Sequence, residues 1–197
     1  FGKLTELRFL SLTFNGLEGE VLEEIWAMKK LEVLDLEGNL ISGVLPVKLK
    51  NMRVLNLGFN RVVGKISSSW SSVKGLEVLN LVGNGINMFV LGFVGRLRAV
   101  YLSFNLLGRV IPSEIGEHCG GSELMMALLY SNVLEDVIPS ELGRLRKLEV
   151  LDVSRNMLGG PMPRELRKCY ELSVLVLSNL FNPIPDVNGT ARDLGVE

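Results

Sequence analysis

A leucine phrase that closes on asparagine returns along almost the whole chain. "LEVLDLEGN" at 31–39 comes back as "LEVLNLVGN" at 76–84 and as "LEVLDVSRN" at 148–156. Written L-x-x-L-x-L-x-x-N, the phrase has eight copies, which begin at Leu7, Leu31, Met52, Leu76, Leu97, Leu124, Leu148 and Leu172. Successive asparagines are 24, 21, 24, 21, 27 and 24 residues apart, and the eighth copy has Leu180 instead. A fixed period of about 20–29 residues predicts a solenoid of stacked units.

The spacing inside the phrase predicts a strand. Leu34 and Leu36 are two residues apart, so on a strand they share one side, while Asp35 and Glu37 face the other. One strand cannot bury its leucines alone, but strands stacked in parallel at about 4.8 Å form a sheet with a continuous leucine core. The asparagine amide satisfies backbone groups in the buried turn. The phrase therefore predicts an α/β repeat solenoid, curved, with a parallel sheet on its concave side.

The end of the repeat, the hydropathy and the charge limit the domain organisation and the classes of function. We expect residues 1–182 to form one solenoid of about eight repeats and residues 183–197 to form an irregular segment, because the period is lost there. No apolar run reaches the roughly 18–20 residues that span a bilayer, so we expect no membrane span. Acidic and basic residues are interspersed and the net charge is −1. Nucleic-acid binding needs a clustered basic face, and we expect none.

The sequence has no catalytic or cofactor motif. His118 is the single histidine, and adjacent Cys119 does not make a nucleophile pair with it because neighbouring side chains diverge. With so few ligands, no metal site is expected. Cys119 and Cys169 lie two repeats apart, about 10 Å, beyond the roughly 7 Å Cα separation of a disulfide. We predict two buried free thiols, no enzyme activity and no cofactor.

The variable letters between the leucines are the best candidates for recognition of a peptide or protein. We predict a binding surface formed by Asp35, Glu37, Phe59, Asn80, Tyr101, Phe104, Tyr130, Asp152 and Arg155. For Phe14, Phe59 and Phe104, which precede turn asparagines, an internal phenylalanine spine is an equally good interpretation.

Two further features suggest contacts. Met88, Phe89 and Phe93 lie in "NMFVLGFV", which is more apolar than the repeat requires, and we predict an apolar contact patch there. The first strand opens the sheet without a cap in this sequence, so self-association through that end or through the apolar rim is a second possibility. Asn188 with Thr190 forms the glycosylation sequon.

The second half of the repeat carries a family resemblance. "NLISGVLP" at 39–46 and "NMLGGPMP" at 156–163 resemble the plant-type leucine-rich repeat, and the whole chain resembles the extracellular domain of plant receptor-like kinases of the toadstool type. The resemblance implies a second short strand per repeat and a convex side of 3₁₀ turns and loops. It also implies recognition of a peptide or co-receptor in developmental signalling at the plasma membrane, with a kinase outside this chain. Departures include Met88, Arg109 and Asp136 in place of the repeat glycine.

Two other functions fit the same pattern. One is a stand-alone secreted solenoid that inhibits a foreign enzyme, as plant inhibitors of polygalacturonases with this repeat do. The other is a drifted copy of a receptor ectodomain with no ligand, which the lost glycines and prolines favour.

Overall fold

The computed structural model describes residues 3–73, 75–88, 97–116 and 122–178. Each repeat contributes one short strand to a parallel eight-stranded sheet, in the order β1-β3-β5-β7-β9-β11-β13-β15. The strands are β1 Phe9–Ser11, β3 Val33–Asp35, β5 Val54–Asn56, β7 Val78–Asn80, β9 Ala99–Tyr101, β11 Met126–Leu128, β13 Val150–Asp152 and β15 Val174–Val176. The predicted α/β repeat solenoid with a parallel sheet is confirmed.

The register stacks leucine on leucine. Leu10 pairs with Leu34, Leu34 with Leu55, and Leu55 with Leu79. These strand leucines are almost completely buried, as are the second leucines of each phrase, such as Leu36. Burying such a side chain stabilises the fold by about 1.5–3 kcal/mol, so the continuous column holds the repeats together.

A second set of short strands follows the turn asparagines, as the resemblance implied. They form three small parallel sheets: β2 Glu18–Glu20 with β4 Leu40–Ser42, β6 Val63–Lys65 with β8 Gly85–Met88, and β10 Gly108–Arg109 with β12 Val133–Val137 and β14 Met157–Gly159. The convex side carries helix α1 Glu23–Trp26 and the 3₁₀ helices Ser68–Ser72, Ser113–Gly116, Ser140–Arg144 and Arg164–Lys168. No helix in the described ranges has the length and apolarity to cross a bilayer.

Trp70 fills the convex core beside a short repeat. Between β4 and β5 the described chain forms no helix, because this repeat is only 21 residues long. Trp70, on the next repeat, is fully buried and donates its indole N–H to the Pro46 carbonyl of the short repeat at 3.0 Å. The large ring thereby links the two repeats.

The turn asparagines, buried or partly buried, form a ladder that couples each repeat to the one before it. Asn105 donates its Nδ2 hydrogens to the carbonyls of Leu81, Leu102 and Ser103 at 2.8–3.2 Å, and its Oδ1 accepts the Ile86 N–H at 2.9 Å. Leu81 and Ile86 belong to the preceding repeat. The same arrangement recurs at Asn39, Asn60, Asn84, Asn132 and Asn156.

The repeat glycine lies in left-handed backbone. Gly43, Gly64 and Gly160 have φ of 84°, 88° and 73°, and two of the three replacements, Arg109 and Asp136, keep φ of 65° and 72°. A side chain in this conformation costs roughly 1–2 kcal/mol. Arg109 and Asp136 therefore retain the backbone of the repeat and carry local strain, whereas Met88 does not adopt left-handed backbone.

Replacing Asn105 by alanine tests the ladder. The change leaves buried carbonyls and the Ile86 N–H without partners, so we expect unfolding free energy to fall by about 2–4 kcal/mol, measured by urea denaturation. Asn15 is the matched control, because it is exposed and its side chain donates only to the Thr13 carbonyl. Equal losses for the two variants would contradict the ladder's role.

Arg109→Gly tests the strain. Removing a side chain from left-handed backbone relieves strain, and this should outweigh the greater unfolded-state entropy of glycine. We expect the free energy of unfolding, measured by thermal denaturation, to rise by about 0.5–1 kcal/mol. Gly160→Ala should do the reverse, because a Cβ there would lie 2.6 Å from Val137 Cγ1. A less stable Arg109→Gly protein would show that the arginine side chain makes a stabilising contact.

Candidate recognition surface

The outward side chains of the sheet make an acidic concave face. Each repeat contributes three of them, spaced two residues apart along the strand and its exit, and we call these three residues a rung: Val33, Asp35 and Glu37 are one example. Equivalent residues of successive rungs line up in three columns across the sheet. Over the eight described rungs these columns contain no lysine, arginine or histidine, and the charged members are Asp35, Glu37 and Asp152. The concave face is therefore negative, although the chain as a whole is nearly neutral.

The aspartates and asparagines of the middle column are partly engaged by their own backbone. Each accepts a hydrogen bond from the N–H two residues later: Asp35 from Glu37 at 3.2 Å, Asn56 from Gly58 at 3.0 Å, Asn80 from Val82 at 3.1 Å and Asp152 from Ser154 at 3.0 Å. Asp152 also accepts the Ser154 hydroxyl at 2.6 Å. These predicted site residues therefore stabilise the backbone at the strand exits, and they also face outward.

Glu37 and the aromatic residues occupy separate rungs of this face. Glu37 Oε2 accepts a hydrogen bond from Asn56 Nδ2 at 3.0 Å, which fixes the carboxylate on the sheet. Three rungs further on, the rings of Phe104 and Tyr130 meet edge to face with centroids 4.9 Å apart. Tyr101 is partly exposed on the rung between Asn80 and Leu128. The structure brings Phe104 and Tyr130 together, and it leaves Glu37 and Asp152 five rungs apart.

The residue before each turn asparagine has left-handed backbone in all seven described repeats. We call these residues the turn row: Phe14, Gly38, Phe59, Gly83, Phe104, Ser131 and Arg155, with φ between 50° and 68°. Every N–H of the row donates to a carbonyl of the next repeat, for example Phe14 to Glu37 at 2.9 Å and Phe59 to Val82 at 2.6 Å. This conformation is unusual for bulky residues. The sequence signal was the glycine that alternates with phenylalanine in this column.

The phenylalanines of the turn row are surface residues. Phe14, Phe59 and Phe104 are 73%, 54% and 46% exposed, so they form no internal spine. The rings of Phe14 and Phe59 lie over the glycines of the following repeats: a Cβ on Gly38 would come within 2.3 Å of the Phe14 ring, and one on Gly83 within 2.8 Å of the Phe59 ring. Glycine in the even repeats thus provides the space for phenylalanine in the odd ones.

Sequence analysis missed a charged border at the opposite edge of the sheet. The residue after the first leucine of each phrase alternates in charge along five repeats: Arg8, Glu32, Arg53, Glu77 and Arg98. Arg8 pairs with Glu32 at 2.8 Å, and Arg53 pairs with Glu77 at 3.0 Å and with Glu32 at 3.9 Å. The alternation is visible in the sequence once the repeats are aligned.

The predicted apolar patch is only partly described. Met88 is 41% exposed at the end of β8, whereas Phe89 and Phe93 lie outside the described residues. On the same lateral side the structure adds an exposed apolar strip that sequence analysis missed, formed by Leu106, Val133 and Met157 in three successive repeats. The sequence position shared by the three, directly after the turn asparagine, was the available signal.

Reactive groups contribute little to this surface. The described residues contain no group of three or more histidine, cysteine or acidic side chains that could hold a metal ion. Cys169 is a buried free cysteine that donates to the Leu142 carbonyl at 3.2 Å, and burial raises the pKa of its thiol to about 11. His118, Cys119 and Asn188 lie outside the described residues.

The raised pKa of Cys169 predicts a pH effect on stability. Its ordinary pKa is 9.0 and the folded value about 11, so the neutral thiol stabilises the fold below pH 9 and this contribution falls as the pH rises toward 11. Relative to Cys169→Ser, which keeps a donor for the Leu142 carbonyl, the protein should lose about 2 kcal/mol across this window. Urea denaturation at several pH values measures the difference, and a constant difference would contradict the burial of the thiol.

Comparison with known proteins gives the same repeat. The Leucine Rich Repeat family model matches residues 30–52 and 147–169. The probable LRR receptor-like serine/threonine-protein kinase RPK1 of Arabidopsis thaliana is 54% identical over 46 residues, which are 23% of this chain and 8% of that protein. The chain therefore spans only a small part of this curated relative.

Solved structures have the same architecture over almost the whole chain. The plant peptide hormone receptor RGFR1 in complex with RGF2 has a TM-score of 0.83 at 30% identity, covering 90% of this chain and 29% of that one. The ectodomain of the Arabidopsis receptor kinase HAESA with an IDA peptide hormone has a TM-score of 0.81 at 30% identity, covering 90% and 31%. An LRR protein of Leptospira interrogans has a TM-score of 0.82 at 30% identity, covering 98% and 48%.

The bacterial protein matches this chain as well as the plant receptors do. The solved structures therefore show the fold and do not by themselves favour a plant receptor. The resemblance to plant receptors in particular comes from the sequence match to a plant receptor kinase and from the second half of the repeat, with its glycine and proline. The chain folds as a leucine-rich-repeat solenoid, and it is similar to the ectodomains of plant leucine-rich-repeat receptor kinases.

Proposed function

We propose that this chain is a non-catalytic recognition module whose concave face binds a peptide or a protein ectodomain. The observation that carries the proposal is the concave face itself: a rigid sheet with carboxylates and no basic residue in its described columns, bordered by three exposed phenylalanines. Exposed aromatic side chains on a preformed surface are typical anchors for a protein partner. Since each strand is fixed by its neighbours, binding needs little ordering of the module.

Similar proteins support this proposal. The RGFR1 and HAESA structures are complexes with peptide hormones, and another HAESA structure also contains the co-receptor SERK1. By analogy, we propose that the chain belongs to the extracellular part of a receptor kinase or is secreted, and that it takes part in developmental signalling. On an extracellular chain, Asn188 is a candidate glycosylation site.

Self-association is a secondary part of the proposal. The strip of Leu106, Val133 and Met157 is exposed on one lateral side, and Met88 is exposed on the preceding repeat. β1 is an edge strand of the described sheet, and such edges pair readily with other chains. Either feature gives a second copy an apolar or strand-edge contact.

Selection from a random peptide library displayed on phage tests the main proposal. We expect ligands whose dissociation constants increase about tenfold in Tyr101→Ala, because truncation of an interface tyrosine removes more than about 1 kcal/mol. Tyr170→Ala is the matched control, since Tyr170 is 80% exposed outside the concave columns. Isothermal titration calorimetry measures both.

The control separates the competing functions. Failure to enrich any peptide, with no binding of ectodomains or of polygalacturonase, is the result expected of a drifted copy and would contradict the proposal. Ligands weakened by Tyr170→Ala and not by Tyr101→Ala would place recognition away from the concave face. Binding of polygalacturonase alone would favour the inhibitor function.

A further inference from the structure

The three phenylalanines of the turn row stand in alternate repeats at a regular interval. Phe14, Phe59 and Phe104 belong to the first, third and fifth repeats, and adjacent strands are about 4.8 Å apart, so successive rings are about 10 Å apart. Gly38 and Gly83 between them carry no side chain that would separate the rings. The row is therefore a line of apolar contacts about 20 Å long.

The backbone of the row has no free donor for a ligand. The N–H groups of Phe14, Gly38, Phe59, Gly83 and Phe104 all donate to carbonyls of the next repeat. A ligand that adds a strand through main-chain hydrogen bonds thus finds no donors here. Recognition along this line depends on side-chain contacts.

The interval of about 10 Å selects a ligand conformation. Side chains on one face of a β-strand repeat at about 6.6 Å, which does not match the interval of about 10 Å between successive rings. A polyproline-II segment rises about 3.1 Å per residue with three residues per turn, so every third residue meets a ring at about 9.3 Å, and it needs no backbone hydrogen bonds. A helix repeats contacts at about 10.5 Å, so over the two intervals it falls about 2 Å out of step with the rings, whereas the polyproline-II segment falls less than about 1 Å out of step.

Charge adds a second requirement for the ligand. Glu37 lies on the rung between Phe14 and Phe59, beside Asp35, and the described concave columns offer no basic side chain to neutralise either carboxylate. Asn56 holds the Glu37 carboxylate in place by a hydrogen bond of 3.0 Å. A lysine or arginine between the first two apolar ligand residues complements this site.

We propose that the turn row binds an extended polyproline-II peptide segment with an apolar residue at every third position and one basic residue opposite Glu37. This inference rests on the proposed function and specifies the class of ligand. Phe14, Phe59 and Phe104 each take one apolar residue. The segment needs about seven residues to reach all three rings.

A synthetic peptide tests this directly. The probe is proline-rich and about ten residues long, long enough to span the row, with leucine at every third position, one lysine between the first two leucines, and a fluorescent label. A second probe has the reversed sequence, since the direction of binding is open. The control peptide has the same composition with the leucines adjacent. Fluorescence anisotropy with the full chain measures each dissociation constant.

Protein variants assign the contacts. We expect Phe59→Ser to weaken binding about tenfold, because part of a phenylalanine's burial is lost. Tyr170→Ser is the matched control, because Tyr170 is 80% exposed and lies outside both the concave columns and the turn row. Glu37→Gln keeps an acceptor for Asn56 and should weaken the lysine peptide about threefold, with no effect on a peptide that has norleucine instead of lysine.

The outcomes separate this inference from the proposed function. Preference for the period-three peptide in either direction, lost in Phe59→Ser and kept in Tyr170→Ser, supports the inference. Equal binding of the control peptide, or equal effects of the two serine variants, overturns it, as does selection of helical ligands with seven-residue spacing. If library ligands depend on Tyr101 while neither probe binds, the inference fails and the proposed function stands. If neither kind of peptide binds, both fail.

Discussion

The asparagine ladder is the constraint on which the rest of this structure depends. A buried amide such as that of Asn105 bonds the turn of its own repeat and the backbone of the repeat before it. The turn closes tightly enough that the preceding residue adopts left-handed backbone, whatever its side chain. The interaction that seals the leucine core therefore also determines where one exposed residue per repeat is presented.

This constraint gives the turn row both its cost and its regularity. A non-glycine residue in left-handed backbone costs roughly 1–2 kcal/mol, and Phe14, Phe59 and Phe104 all carry that cost at the surface. Each ring recovers part of it through contact, over Gly38 or Gly83 in two cases and against Tyr130 in the third. Strain that persists at exposed positions is common at binding sites, in agreement with the proposed recognition surface.

Much of the fold follows from spacing in the sequence, whereas the details of the surface do not. The two-residue interval of leucines predicts the sheet and its buried side, because alternation along a strand is geometric. Spacing does not reveal hydrogen bonds. The sequence therefore did not predict that Asp35 and Asp152 accept hydrogen bonds from the backbone at the exits of their own strands. The alternation of Phe59 with Gly83 was a signal of left-handed backbone, and it is readable only when the column is compared across repeats.

The central claim is that the concave face and the turn row that borders it form the contact surface for a ligand, and fluorine NMR tests it most directly. The chain has eight phenylalanines, so labelling with fluorophenylalanine gives few resonances, which single substitutions assign. On addition of a library-selected peptide, the account predicts shifts of the Phe14, Phe59 and Phe104 resonances. A saturating ligand that leaves all three resonances unchanged would contradict it.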